Sequence, residues 1–124
     1  MIPPLRLLAL AALLLAAASP ATAQDATAGG LMFKQRCQTC HTVAPGQPST
    51  IAPSLIGVVG RKAGATAFSY SAALKSSGLT WDKATLDRFL TAPNKLVPGT
   101  RMLVMISDPK QRADLVAYLA SLKK

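Results

Sequence analysis

The sequence predicts an all-α domain of three to five helices joined by long loops, and three observations support this fold class. No segment sustains the alternation of apolar and polar residues that marks a strand. Several segments instead place apolar residues at the three- and four-residue spacing of a helix face. The stretches between them are rich in glycine and proline, which mark turns and loops. A chain of 124 residues allows at most one small domain.

The amino-terminal segment, residues 1–23, has the features of a secretory signal peptide. Arg6 gives a weakly positive start, residues 7–18 form an unbroken apolar run, and residues 21–23 make an A-x-A cleavage site. An uncleaved membrane anchor is the alternative, but a spanning helix needs about 20 apolar residues and this run is shorter. We therefore expect cleavage before Gln24 and a mature domain over residues 24–124.

Asp25–Cys40 is the first predicted helix, and residues 43–64 are predicted to form a loop. The apolar stripe of the helix consists of Leu31, Met32, Phe33 and Cys37. Seven glycines and prolines interrupt residues 43–64. A loop of this length is unusual in a compact domain, but it becomes reasonable if it wraps a rigid prosthetic group. Ser71–Ser77 is predicted to be a short helix ended by Gly78.

Two further helices are predicted in the second half of the chain. Thr80 suits the N-cap of a helix over Lys83–Ala92, which Pro93 stops. The apolar side of this helix consists of Ala84, Leu86, Phe89 and Leu90. Residues 94–107 are predicted to be irregular. Asp108 is the expected N-cap of the last helix, with proline at its first position and Gln111 closing a capping box. Its buried stripe consists of Leu115, Tyr118, Leu119 and Leu122.

Cys37, Cys40 and His41 form a C-x-x-C-H sequence, the pattern of c-type haem attachment. Positions three apart on a helical turn share one face, so both thiols can reach the two vinyl groups of one porphyrin. His41 then offers an imidazole nitrogen to the iron as proximal ligand. A covalent haem would also supply apolar bulk to a mature domain of modest size.

Three other interpretations of the two cysteines are weaker. A thioredoxin-like dithiol requires a βαβ context, which this sequence lacks. A structural zinc site usually has four Cys or His ligands, and the chain has two cysteines and one histidine. A simple disulfide would give the adjacent histidine no role.

The chain has a single histidine, so a second histidine cannot be the other axial ligand within one chain, and the candidates are a methionine, a lysine or an open position. Met1 leaves with the signal peptide, and Met32 is too close to Cys37 on the same helix to reach the opposite haem face. Met102 and Met105 remain, and the turn formed by residues 98–101 favours Met102. A His/Met pair favours the reduced iron and leaves no open position for oxygen or peroxide.

The mature chain would carry 13 basic and 5 acidic residues, a net charge of about +8. Such a balance favours an acidic partner through electrostatic steering. Nucleic acid is the alternative for a basic chain, but export and the absence of a block rich in Arg and Lys disfavour it.

The sequence resembles a class I cytochrome c over essentially all of the mature chain. The similarity lies in Gly29-x-x-x-Phe33, the C-x-x-C-H motif, residues 52–61, 68–71 and 79–81, the segment 98–102, and residues 112–119 of the last helix. The resemblance implies the cytochrome c fold around one covalent haem c, with Cys37 and Cys40 as attachment residues and His41 and Met102 as axial ligands.

The same resemblance implies a set of residues around the haem. The carbonyl of Pro53 would accept a hydrogen bond from the His41 imidazole, and Thr100 would form a hydrogen bond next to Met102. Arg61, Tyr70 and Trp81 would hold the inner haem propionate. Three residues depart from the family pattern: Phe89 replaces a tyrosine, Leu74 an asparagine, and Val104 an aromatic residue.

The expected function is that of a periplasmic one-electron carrier, not an enzyme. The resemblance implies a quinol-oxidising cytochrome complex as donor and a terminal oxidase or photosynthetic reaction centre as acceptor. We expect a soluble monomer whose Arg36, Lys95 and Arg101 contact acidic partner surfaces. Two rivals stay open: a haem enzyme or gas sensor from which Met102 is easily displaced, and a non-haem C-x-x-C dithiol protein.

Overall fold

A computed structural model of the chain describes residues 24–47 and 50–123. The predicted signal peptide, residues 1–23, lies outside this range. The described residues contain five helices: α1 (Ala26–Arg36), α2 (Ala72–Ser76), α3 (Lys83–Thr91), α4 (Pro93–Leu96) and α5 (Pro109–Ser121). The extended pairing found among them is an isolated bridge between Lys62 and Thr80. The predicted all-α fold class is confirmed, and none of these helices is long and apolar enough to span a membrane.

Aspartate side chains begin the three longest helices. The Asp25 carboxylate accepts hydrogen bonds from the backbone N–H groups of Thr27 and Ala28, and the Asp108 carboxylate accepts one from Gln111 at 3.0 Å. These bonds satisfy N–H groups that have no partner within the helix. The prediction that Asp108 caps the last helix is confirmed.

Two predicted boundaries were wrong. The first helix ends at Arg36, because the N–H groups of Cys37 and Gln38 both bond to the Phe33 carbonyl and residues 37–40 form a turn. The cap of α3 is Asp82 and not Thr80, since the Asp82 carboxylate accepts from the Thr85 N–H at 2.7 Å.

The buried face of α3 and the segment that follows this helix also differ from the prediction. Ala84 is exposed, and Thr85 takes a place on the buried face. Pro93 follows the end of α3, as predicted, but it also begins α4. The rest of α4 lies in the stretch from residue 94 onwards that was predicted to be irregular. Proline suits this position, because the first residues of a helix have no N–H partner to lose.

The first helix, α1, packs against the last helix, α5. A Cβ atom on Gly29 would lie 1.9 Å from the Asp114 carbonyl oxygen, so only glycine permits this approach. Phe33 and Leu115 are each 1 % exposed on either side of the crossing. The Asp114 carboxylate accepts from the Asp25 N–H at 2.8 Å and from the Lys110 ammonium group at 2.6 Å.

The long loop after α1 is attached to the helical frame by backbone hydrogen bonds. The Gly57 N–H bonds to the Leu122 carbonyl at 2.7 Å, and Gly60 and Arg61 pair with the backbone of Trp81 at 2.8 Å each. The loop therefore passes across one side of the molecule and returns to the start of α3. This path leaves a cavity between the loop and the helices.

Candidate functional site

A cavity of about 340 Å³ lies between the helices and the long loops. Its volume is within the range of small-molecule and cofactor sites. All nine residues predicted to hold the cofactor line it: Cys37, Cys40, His41, Pro53, Arg61, Tyr70, Trp81, Thr100 and Met102. Among the residues predicted to contact partners, Arg36 and Arg101 also line the cavity, whereas Lys95 is exposed on α4 outside the lining.

The turn that follows α1 presents the two cysteines and the histidine. The N–H groups of Cys40 and His41 both bond to the Cys37 carbonyl, at 3.1 and 2.9 Å. Cys37 is buried and Cys40 is exposed, and both are free cysteines. Burial raises the pKa of the Cys37 thiol, and the neighbouring Arg36 partly opposes this effect.

The His41 imidazole is held in one orientation. Its Nδ1 lies 2.7 Å from the Pro53 carbonyl oxygen. Because a carbonyl can only accept, Nδ1 carries the proton and Nε2 keeps its lone pair. Burial lowers the pKa of His41, while the hydrogen bond to Pro53 acts in the opposite direction. The imidazole is therefore favoured in the neutral form that binds metals.

Three polar side chains line the same cavity, each held by a neighbour. The Arg61 guanidinium donates to the carbonyl oxygens of Ser54 and Ile56, at 2.9 and 3.3 Å, and burial lowers its pKa. The Tyr70 hydroxyl lies 2.5 Å from the Thr66 hydroxyl. Trp81 packs on Phe89 with ring centroids 4.9 Å apart. Guanidinium, hydroxyl and indole N–H groups are the donors that a buried carboxylate needs.

Thr66 holds the cavity residue Tyr70, and the sequence did not predict this role. It lies in an irregular segment four residues before Tyr70, and its role depends on how that segment folds back. No periodicity or motif marks such a position, so no signal in the sequence points to it.

The segment before α5 presents a methionine to the cavity. Met102 is half-buried and lines the cavity, whereas Met105 is 60 % exposed. Gly99, with φ of +92°, turns the chain into this segment, a conformation that glycine adopts without steric cost. The buried Thr100 hydroxyl accepts a hydrogen bond from the Met102 N–H at 3.4 Å. Met32 packs against the hydrophobic core instead.

The residues that depart from the expected pattern also line the cavity. Phe89, Leu74 and Val104 are all part of its wall, and Phe89 is buried against Trp81. Each replaces a larger or more polar side chain of the pattern with an apolar one. The wall is therefore more apolar at Phe89 and Leu74, and it has a smaller side chain at Val104.

The donor set fits a covalently attached haem. Two thiols can form thioether bonds, a neutral imidazole nitrogen and a methionine sulfur can bind iron, and apolar side chains make up most of the wall. Arg61 and Tyr70 add polar groups suited to a propionate. The structure thus brings together, in one cavity, every chemical group that such a cofactor requires.

Comparisons with known proteins agree with this geometry. The family model described as Cytochrome c matches residues 26–123. Cytochrome c2 of Rhodomicrobium vannielii is 47 % identical over 106 residues, which cover 84 % of each chain. Cytochrome c of Tetrahymena pyriformis is 48 % identical over 98 residues, covering 78 % of this chain and 88 % of the relative. The solved structure of cytochrome cH from Methylobacterium extorquens matches with a TM-score of 0.72 and 46 % identity, covering 78 % of this chain and 98 % of that one.

Proposed function

The chain belongs to the cytochrome c family, and from this premise we propose that it is a periplasmic one-electron carrier with His41 and Met102 as axial iron ligands. As a member of this family it is an electron-transfer protein and not an enzyme, and its cofactor is a covalent c-type haem. When bound, the haem supplies a metal centre that gains and loses single electrons. The observation that carries the proposal is that both thiols, the His41 imidazole and Met102 line one apolar cavity.

The proximal side is organised by the long loop. Cys37 and Cys40 would hold the haem through thioether bonds, next to His41. The hydrogen bond to the Pro53 carbonyl keeps the proton on Nδ1 and orients the ring, which leaves Nε2 available to the iron. Such a bond also raises the basicity of the imidazole as a ligand.

On the distal side, the Met102 sulfur would complete the coordination. An iron held by both His41 and Met102 would leave no place for oxygen or peroxide to bind, which would distinguish an electron carrier from a haem enzyme or gas sensor. Arg61, Tyr70 and Trp81 would hold the inner propionate. Their donor groups would offset the cost of burying that carboxylate beside an apolar wall.

The chain's own acidic residues leave its positive surface available to a partner. All five are engaged within the fold: Asp25, Asp82 and Asp108 cap helices, Asp87 pairs with Arg112, and Asp114 pairs with Lys110. Arg36, Lys95 and Arg101 are exposed and form no ion pair with these carboxylates in the part of the chain that the structure describes. Such unneutralised cations, two of which line the cavity, favour an acidic redox partner.

We propose a quinol-oxidising cytochrome complex as the donor and a terminal oxidase or photosynthetic reaction centre as the acceptor. The rate at which the reduced protein is oxidised by such an acceptor should fall as ionic strength rises, because salt screens the attraction. A rate independent of salt would contradict the role of the basic surface.

Export is tested separately, by fractionating expressing cells and measuring the intact mass of the purified protein. We expect the mature chain in the periplasm, beginning at Gln24 and heavier than the polypeptide by the mass of one haem. A protein that keeps residues 1–23 would overturn the proposed cleavage, and one with the mass of the polypeptide alone would favour the dithiol alternative.

A further inference from the structure

The segment that carries Met102 is weakly attached to the rest of the molecule. Its two ends are anchored, since the Thr100 N–H bonds to the Val97 carbonyl and the Ile106 N–H bonds to the Leu90 carbonyl. Between them, residues 101–105 form no backbone–backbone hydrogen bond with any other residue that the structure describes. Leu103 and Met105 are 68 % and 60 % exposed, so packing contributes little at these two positions.

Arginine side chains supply the hydrogen bonds that are missing from the backbone. The Arg36 guanidinium, at the end of α1, donates from Nη2 to the Met105 carbonyl at 3.2 Å across a separation of 69 residues. On the other side, Arg101 donates from Nη1 to the Ser69 carbonyl at 3.0 Å. Among the residues that the structure describes, Arg36 is thus the group outside residues 98–107 whose side chain bonds to the backbone of residues 101–105.

We propose that Arg36 is a positioning residue for the axial ligand, holding residues 101–105 so that the Met102 sulfur stays on the iron. The inference rests on the proposed ligation by Met102. Arg36 immediately precedes Cys37, so its hydrogen bond joins the attachment turn to the distal segment across the same cavity. This role is additional to any contact that Arg36 makes with a redox partner.

Loss of the hydrogen bond should ease the local opening in which Met102 leaves the iron. A net hydrogen bond corresponds to a factor of about two to ten in an equilibrium constant. The Arg36→Gln substitution removes the guanidinium at an exposed position, so the global fold is expected to be retained. The opened form binds an exogenous ligand such as imidazole, which therefore reports the opening directly.

The experiment titrates ferric holoprotein with imidazole and follows the loss of the charge-transfer band given by methionine-ligated iron. Arg36→Gln should bind imidazole about two to ten times more tightly than the wild type. Lys34→Gln is the matched control, because Lys34 is also an exposed cation of α1 and its ammonium group forms no hydrogen bond among the described residues. Its imidazole affinity should equal that of the wild type.

The outcomes separate the inference from the function on which it rests. Equal affinities in Arg36→Gln, Lys34→Gln and wild type, with the band present in all three, would overturn the role of Arg36 and leave Met102 ligation intact. An equal rise in both variants would also overturn it, because the effect would then come from charge alone. A wild-type ferric spectrum without the band would instead overturn the proposed ligation itself.

Discussion

Substituting Gly29 by alanine should destabilise the protein at the crossing of α1 and α5. The added Cβ would lie 1.9 Å from the Asp114 carbonyl oxygen and 2.5 Å from its carbon, where ordinary contact begins at 3.4 Å. The obstacle is backbone, so the helices must separate by about 1.5 Å there. This separation would weaken the packing of the buried side chains of Phe33 and Leu115. Full burial of such a side chain contributes about 1.5–3 kcal/mol to the free energy of unfolding.

Alanine is also a better helix former than glycine, by about 1 kcal/mol. With this gain subtracted from the cost of overpacking and lost burial, we expect a net loss of about 3 kcal/mol in the free energy of unfolding. The assay is denaturant unfolding of the ferric holoprotein, with the slope against denaturant checked for constancy.

Gly30→Ala is the matched control for this prediction. A Cβ at Gly30 would lie 3.1 Å from ring carbons of Tyr118, a half-buried side chain that can shift by a few tenths of an ångström. The same gain in helix propensity then offsets a small strain, and stability should stay within about 0.5 kcal/mol of the wild type. Equal stabilities of Gly29→Ala and Gly30→Ala would refute the close backbone approach.

Two further substitutions test the core and the charge pairs. Phe89→Ala removes a buried ring that packs on Trp81, and should lower the free energy of unfolding by about 3–5 kcal/mol in the same assay, whereas an effect below about 1 kcal/mol would contradict its burial. Asp114→Asn tests a pH dependence, because the hydrogen bond from Lys110 holds the pKa of Asp114 below its usual range. The ionised Asp114 therefore stabilises the wild type fully above the unfolded-state pKa of about 3.9, and this stabilisation is lost as pH falls through the lower pKa of the folded state. Unfolding measured against pH should show the wild type more stable than the variant at neutral pH and the difference disappearing in acid; a difference that persists in acid would show that the charge is not its cause.

The fold class was predicted correctly, and the attachment residues could be proposed, because both depend on local chemistry. The C-x-x-C-H spacing acts within one turn, and the Asp108 cap depends on a contact three residues away. The first helix was predicted too long, because nothing in the composition of residues 37–40 shows that their N–H groups turn back to Phe33 and Cys37. Thr80 and Asp82 are both acceptable caps by residue type, and only the fold decides between them.

Two contacts between distant segments were not revealed by the sequence. The hydrogen bond from Arg36 to Met105 spans 69 residues, and the partner of Tyr70 is a threonine within an irregular loop. Neither contact leaves a periodic pattern, because each depends on how loops pass one another in three dimensions. Resemblance to a family identified Pro53 beside His41, whereas residue spacing alone did not.

The ferric absorption spectra of Met102→Ala and Met105→Ala holoproteins test the axial ligation most directly. Met102 lines the cavity and Met105 is largely exposed, so only the first substitution should abolish the charge-transfer band of methionine-ligated iron and allow rapid binding of carbon monoxide to the reduced protein. Loss of the band in Met105→Ala, with Met102→Ala unchanged, would contradict the assignment of the iron ligand.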